Sequence, residues 1–499
     1  MKKSIRHHQK TVVLFHPKVH PTSSYCQIPL GILAVAGPLE KAGYRLRLID
    51  AMVEKDYEDQ VIKSSRKAVC LGISCMTGYQ IHDGLRMAKL VKKKYPHLPI
   101  IWGGWHPSVE PSQTIANPAV DVVIRGQGER TMLEVVSRLE NNLSLKKILG
   151  ISYKNKGKII ENPDRAFEDV NNFPPLPYHL VELEKYILDI EELGTRVINY
   201  ISSRGCCFKC RFCAELRVNK RRWSGLKPKR IVDELELLVM KYHLNGVIFN
   251  DSNFFVDKAR VRQICQELIK RKLNIKWGKA NGHPRQLLSY DDDLWNLMKK
   301  SGLQSILIGA ESGSQRILNL IDKQSTVAEI VRLAKICKRH QIKIWYSFIV
   351  GFFSDPERDG LDKTLALIKK LRLINNNCEI LVFFYTPYPG TPLYDRALKL
   401  GLKEPRLLEE WSMFSLDEVK PTLIKKAYQK KLEPLINFYF PLAYRQEGLR
   451  LRMRKSYFSY LIYKFFHQLA YFRCFHNFFF FPWEWHLYQY FGKRLSFLY

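Results

Sequence analysis

Residues 196–215 read RVINYISSRGCCFKCRFCAE. The first eight form a short apolar, β-branched run of the kind that makes a strand. The rest opens with Arg204-Gly205 and then sets Cys206, Cys207, Cys210 and Cys213 within eight residues. A strand that empties into such a loop carries it at its carboxyl end, where parallel α/β folds hold their ligands. Cys206, Cys210 and Cys213 have the spacing C-x3-C-x2-C. Three thiolates on one loop can hold three irons of a [4Fe–4S] cluster, leaving the fourth iron free for a small molecule. A closed zinc site wants a fourth ligand. Cys207 could serve in principle, but no Asp, His or further CxxC follows Cys213 closely.

Working downstream, strand and helix signals alternate. PKRIVDELELLVMKYH (228–243) and ARVRQICQELIKRK (259–272) read as helices. GVIFNDS (246–252), IKWGKANG (275–282), SILIGAES (305–312), IKIWYSFIVGF (342–352) and EILVFFYTPY (379–388) read as strands. Six βα units in a row predict a partial (β/α)6 parallel barrel over 196–410. The cysteine loop follows its first strand and so stands at its mouth.

Upstream, TVVLFHP (11–17), RLRLIDA (45–51), AVCLGISCM (68–76), PIIWGGWHP (99–107) and VDVVIRGQG (120–128) read as strands. LGILAVAGPLEKAG (30–43), closed by Gly43, and IHDGLRMAKLVKKKYP (81–96) read as helices between them. This alternation predicts an α/β, doubly wound Rossmann-like parallel sheet over 1–162. The strand ends carry Ser74 to Gly78, Gly103-Gly104-Trp105-His106 and Gly126-Gln127-Gly128-Glu129, where such sheets bind ligands. ILGISYKNKGKIIENP (148–163) reads as a hairpin turning near Asn155 to Gly157. The closely spaced prolines of NNFPPLPYH mark a linker over 163–195.

The 499 residues, 46% of them hydrophobic, suffice for two or three domains with their own cores. Eleven irregularly spaced cysteines do not make a disulfide scaffold. The basic start MKKSIRHHQK leads into only a short apolar run, so no signal peptide is expected. No apolar run is long enough for a spanning helix. A reducing cytoplasm is the expected location, with a peripheral membrane position as the second reading. The formal charge of +32 predicts attraction to something anionic.

In the light of these segments, SRGCCFKCRFC resembles the cluster loop of the radical S-adenosylmethionine (SAM) superfamily, with Phe212 as the aromatic before the last cysteine. GVIFNDSNFFVD, ILIGAESGS, SFIVGF and TPYPGTPLYD resemble that family's second, fourth, fifth and sixth strand segments, in order, over about 196–400. Two departures stand out. Cys207 occupies a position that is usually proline, and FSDPERD (353–359) replaces the usual proline-glycine-glutamate turn. The N-terminal unit is similar to the cobalamin-binding domain that precedes many such cores, on the strength of GGWHP, RGQGERT and ISCMTGYQ. A D-x-H-x-x-G motif is absent, and His16, His20, His82 and His106 do not stand in that pattern, so no histidine below the cobalt is expected.

The resemblance implies Cys206, Cys210 and Cys213 as cluster ligands. It implies SAM contacts from Glu311 and, with less support, Phe212, Asp251 and Ser347. It implies a cobalamin cavity lined by Ser74, Thr77, Gly103, Gly104, His106, Gly126 and Gly128. The chemistry implied is reductive cleavage of SAM to a 5′-deoxyadenosyl radical, with methylation of an unactivated carbon as the main reading. The alternative is a ring-forming or oxygenating reaction like that of the anaerobic cyclase of bacteriochlorophyll synthesis. An electron donor such as flavodoxin or ferredoxin is implied as partner. Methylthiotransferases of the superfamily carry a second cluster on three N-terminal cysteines. Here Cys70 and Cys75 lie five residues apart on one strand, which points them to opposite faces, so Cys26, Cys70 and Cys75 read as buried thiols.

The C-terminal region, 411–499, reads as helical, aromatic and basic. Residues 421–499 carry thirteen Lys and Arg against three Glu, a difference of +10. Three readings suit it: an aromatic cap on the barrel, a membrane-surface segment, or a stacking surface for single-stranded RNA. The cap leads and nucleic acid is the weakest. A lipid-like or other small-molecule substrate would fit such a tail. From another class, a nucleic-acid-binding iron–sulfur protein without catalysis is motivated by the charge alone.

Overall fold

The computed structural model describes residues 10–21, 26–353, 359–414, 423–444 and 457–491. The basic start and most of FSDPERD lie outside these residues.

The N-terminal unit is a seven-stranded sheet. Strands β1 (Thr11–His16), β2 (Arg45–Asp50), β3 (Ala68–Ser74), β4 (Ile100–Gly103) and β5 (Val122–Ile124) run parallel in the order 2-1-3-4-5. The hairpin β6 (Ile151–Asn155) and β7 (Lys158–Glu161) continues it antiparallel, turning at Gly157 with φ +78°. Alternation along β1 divides the packing. Val12 and Leu14 join the core on one face of the sheet, and Val13 and Phe15 the core on the other. Cys70 belongs to the first of these cores and Cys75 to the second, while Cys26 lies in the core of the following unit. The three N-terminal cysteines are therefore apart, as their spacing predicts.

The second unit is a partial barrel. Strand β8 (Leu188–Ile190) pairs antiparallel with β9 (Gly194–Tyr200). A small ribbon, β10 (Ser203–Gly205) and β11 (Trp223–Gly225), flanks the cysteine loop. Strands β9, β12 (Gly246–Phe249), β13 (Lys276–Gly278), β14 (Ala280–Gly282), β15 (Ser305–Glu311), β16 (Lys343–Val350) and β17 (Cys378–Phe384) then follow around the barrel, paired in parallel. The segment read as one strand over 275–282 is two. Lys279 takes φ +50°, which ends β13 and starts β14, and the sheet breaks into two four-stranded parts there. A bridge between Trp277 and Leu303 spans the break. Strand β8 and the start of β9 fall within the stretch read as linker, so that stretch also supplies the barrel's outer edge.

After β17 the chain returns to the first unit. Tyr394, Leu408 and Trp411 sit in the N-terminal core, and the Trp411 indole donates to Gln113 at 2.7 Å. The C-terminal region is helical over Lys426–Pro434, Phe440–Tyr444, Tyr457–His476 and Trp483–Phe491. Leu432, Leu435, Phe438, Tyr439 and Phe440 share one apolar core with the barrel strands, as a cap would. No described helix is long and apolar enough to cross a membrane.

Candidate functional site

Two cavities open where the carboxyl ends of the two sheets meet. The first, of about 270 Å³, is walled by Ser74, Gly103, Gly104, Gly126 and Gly128 from the N-terminal sheet and by Ser203 to Gly205 from the barrel. The second, of about 410 Å³ and mostly apolar, is walled by Phe212, Cys213, Glu311, Ser347 and the aromatic stretch Phe383 to Tyr385. Trp105 and Glu215 line both, so they form the partition.

Glycine makes the first cavity possible. Gly104 has φ +99°, and a Cβ there would stand 2.7 Å from the Cys75 carbonyl oxygen. Gly31 and Gly126, also on the wall, have nothing within 4 Å of where a Cβ would go, so any side chain there would occupy the cavity. A wall of bare backbone at the switch point of a doubly wound sheet suits a large flat cofactor.

The cysteine loop is held from below. Asp251 is fully buried and accepts from Ser202 N at 2.6 Å, Ser202 Oγ at 2.5 Å and Ser203 Oγ at 2.7 Å. Burial raises its pKa, with Arg260 and these hydrogen bonds acting against that. Arg260 donates to the Ser202 carbonyl at 2.8 Å and to Ser202 Oγ at 2.7 Å. Asp251, expected among the SAM contacts, braces the loop's base and lines neither cavity. Its neighbours Asn250 and Ser252 line the first cavity instead.

Burial pushes the Cys206 thiol up to about 11 and Cys213 up to about 12, and it raises Cys210. Such thiols stay protonated until a metal displaces the proton. Cys213 feels the charges of both Cys210 and Cys206, so the three share one neighbourhood. Among the described residues no three Cys, His, Asp or Glu side chains converge tightly enough for a single ion. Asn253 Nδ2 approaches Cys206 Sγ at 3.9 Å. The Cys207 thiol is engaged elsewhere, accepting from Gln286 Nε2 at 3.6 Å. Phe208 stacks on His283 with ring centroids 3.6 Å apart.

Glu311 closes the opposite wall at φ +59°, a strained value for this residue, where the β15–β16 register slips. Its Oε1 meets Lys323 Nζ at 2.8 Å. A Cβ on Gly309 would stand 2.6 Å from that ammonium, so the glycine of GAES makes room for the pair. Lys323 stands just before the helix Val327–Arg339, whose start is fixed by a capping box between Thr326 and Glu329.

Thr77 lines the second cavity rather than the first, which carries the β3 loop to the barrel's mouth. His106 lines neither. It is fully buried, lies tilted against Trp411 and meets Thr77 Oγ1 through Nδ1 at 3.1 Å. Burial lowers its pKa to about 3. Lys323 and Tyr385 escape a motif reading, and Trp105, Glu215 and Thr386 lie in quoted motifs without a role of their own, because nothing local in the sequence brings the five to one place.

A three-thiol loop at a barrel mouth, facing a glycine-walled cavity on a second α/β unit, defines a radical SAM enzyme coupled to a B12-type domain. The radical SAM superfamily model matches residues 200–402, and the B12 binding domain model matches residues 19–136. An uncharacterised methyltransferase, PH0819, of Pyrococcus horikoshii is 30% identical over 75% of this chain and 79% of its own. The anaerobic magnesium-protoporphyrin IX monomethyl ester cyclase of Rubrivivax gelatinosus is 28% identical over 77% and 69%. The fold is similar to that of the cobalamin-dependent SAM radical enzyme OxsB, with TM-score 0.74 and 18% identity over 93% of this chain and 72% of that one. The chain belongs to the radical SAM superfamily and to its members with an N-terminal B12-binding domain. It is an enzyme whose cofactors are a [4Fe–4S] cluster, SAM and cobalamin.

Proposed function

We propose that this enzyme methylates an unactivated carbon of a hydrophobic small molecule. One observation carries the reading: the glycine-walled cavity and the cavity beside the cysteine loop share Trp105 and Glu215 as walls. Bound together, the three cofactors supply a 5′-deoxyadenosyl radical and a transferable methyl group. The residues do the placing. Cys206, Cys210 and Cys213 hold the cluster, and Phe212, Glu311 and Ser347 face SAM across the second cavity. Ser74, Gly103, Gly104, Gly126 and Gly128 cradle the cobalamin. Asp251 holds the cysteine loop in register, and His106 holds Thr77.

The apolar lining from Phe383 to Tyr385, with Ile349 and Val109, supports a hydrophobic substrate kept from water. Tyr385 OH and Thr386 Oγ1 are buried there without a hydrogen-bond partner among the described residues, so the substrate or cofactor brings a polar group to them. The partners proposed are a one-electron donor of the flavodoxin or ferredoxin kind and, through the C-terminal region, a membrane surface. The cyclase relative supports cyclisation as the second reading.

Anaerobic reconstitution with iron, sulfide and hydroxocobalamin tests the proposal. The expected result is a visible spectrum of bound cobalamin, with 5′-deoxyadenosine and S-adenosylhomocysteine formed in equal amounts on substrate. Release of 5′-deoxyadenosine without S-adenosylhomocysteine, on a substrate that is consumed, would move the assignment to cyclisation.

A further inference from the structure

The C-terminal cap buries one set of aromatics and displays another. On the helix Tyr457–His476, Leu461, Phe465 and Phe472 are 45%, 57% and 53% exposed, at a spacing that puts them on one stripe. On the helix Trp483–Phe491, Trp483, Leu487 and Tyr490 are exposed at spacings of four and three, a second stripe. Between the helices runs Asn477–Phe-Phe-Phe-Phe–Pro482. In that loop Phe480 and Phe481 are 81% and 75% exposed.

The loop is built to hold this shape. Arg473 is buried and donates to the carbonyls of Phe478 and Phe480 at 3.1 Å and of Phe481 at 3.2 Å. Its Nε meets Glu484 Oε1 at 2.6 Å, and Glu484 also accepts from Tyr439 OH at 3.0 Å in the core. Phe481 has φ +55°, an uncommon value for a bulky residue that this bracing sustains. A buried ion pair and a strained backbone are costly ways to leave two phenylalanines in water. They make sense when the residues' working surroundings are apolar.

We propose that the loop 477–483 is a membrane-insertion wedge. It sets Phe480 and Phe481 into the acyl boundary of an anionic membrane while the two helical stripes lie along it. This rests on the membrane contact proposed for the region and gives it a place and a mechanism. Charge complementarity names the occupant. Lys464 is exposed next to Phe465, and Lys425, Lys426, Lys430 and Lys431 are exposed on the neighbouring helix and its cap. The connecting sequence 445–456 adds five Arg and Lys against one Glu. A protein interface core is depleted of lysine and needs a matching hollow. Two adjacent exposed phenylalanines, in a C-terminal region whose exposed charges are mostly lysines, need only a fluid apolar layer beneath anionic headgroups.

The test uses full-length reconstituted enzyme and sedimentation with vesicles of phosphatidylcholine alone or with phosphatidylglycerol. Wild-type protein is expected on the anionic vesicles, weakened by salt. The Phe480→Ser/Phe481→Ser variant is expected to bind at least about tenfold more weakly. Its iron content, melting temperature and 5′-deoxyadenosine formation are expected to stay at the wild-type level, so loss of folding or of radical chemistry is read separately. Equal vesicle binding by variant and wild type overturns the wedge, as does absence of wild-type binding. A wild-type dimer in sedimentation that the double variant abolishes assigns the face to a second copy and likewise overturns it.

Discussion

Lys323 Nζ lies 2.8 Å from Glu311 Oε1, and neither side chain is as much as a tenth exposed. Two opposite charges are thus held out of water at the mouth of the barrel, next to the cysteine loop. Burial acts to lower the Lys323 pKa, but Glu311 and Cys210 outweigh it and leave the ammonium above the ordinary lysine range. A raised lysine contributes stability that is whole below the unfolded value and is lost only as pH rises past the folded one. The ammonium is therefore charged throughout the neutral range. Lys323→Met leaves Glu311 buried and alone, an error that costs about 3–5 kcal/mol in comparable pairs. Anaerobic denaturant unfolding of the variant is expected to show a loss of that order. The Glu311→Gln/Lys323→Met double variant is expected to recover most of it but not SAM binding.

The cysteine loop yields a sharper division. Cys207→Ala is expected to keep iron and SAM cleavage, because its thiol is turned to Gln286. Cys210→Ala is expected to lose both. Iron content and 5′-deoxyadenosine after reconstitution read the two side by side. Loss of iron in Cys207→Ala would mean that the loop uses a different trio.

Much of this was legible in the chain because it rests on local pattern. The strands Val12 to Phe15 and Ser305 to Glu311 announce themselves by β-branched runs, and the C-x3-C-x2-C spacing is a matter of counting. The break at Lys279 was not legible, since a lysine in the left-handed region has no composition signal of its own. The bracing role of Asp251 was hidden for a related reason. It lies beside the right strand end, but its side chain is drawn under the loop by Ser202 and Ser203, and a sequence does not say which way a side chain turns. Glu215 and Lys323 went unseen because their importance comes from residues far away in the chain: Glu215 bonds Ser252, and Lys323 bonds Glu311.

Two buried histidines set the response to acid. Burial lowers His106 to about 3, and burial with the nearby Lys323 charge lowers His283 to about 3. A histidine whose folded pKa is depressed stays neutral in the native state while the unfolded chain takes up a proton. Stability is then whole above the free-histidine range near ~6.5 and falls as pH drops below it, by about 1.4 kcal/mol per unit for each group. Glu110 opposes this in part, since burial and Glu404 raise it to about 7 and favour the native state between its unfolded value and that pH. Two groups against one leave a net loss on acidification. Melting temperature is expected to fall steadily from about pH 6.5 towards pH 4.5. In His106→Phe, which keeps a ring against Trp411, that limb is expected to flatten. An unchanged slope would mean that acid acts elsewhere.

Gly31 separates cobalamin from the rest of the site. It stands in the first turn of the helix Leu30–Lys41, on the wall of the glycine-lined cavity, and nothing lies within 4 Å of a Cβ added there. Among the described residues a Cβ at this position meets no atom outside its own helix turn, and glycine in a helix is itself about 1 kcal/mol less favourable than alanine. Gly31→Leu is therefore expected to melt no lower than the wild type. Its isobutyl group would stand in the space assigned to cobalamin, so retention of hydroxocobalamin after desalting is expected to fall at least tenfold. Cys206, Cys210, Cys213, Glu311 and Lys323 are untouched by the change, so iron content and 5′-deoxyadenosine formation are expected to hold while S-adenosylhomocysteine formation is lost. If Gly31→Leu retains cobalamin at the wild-type level, the cofactor does not lie against this helix and the cavity has another occupant.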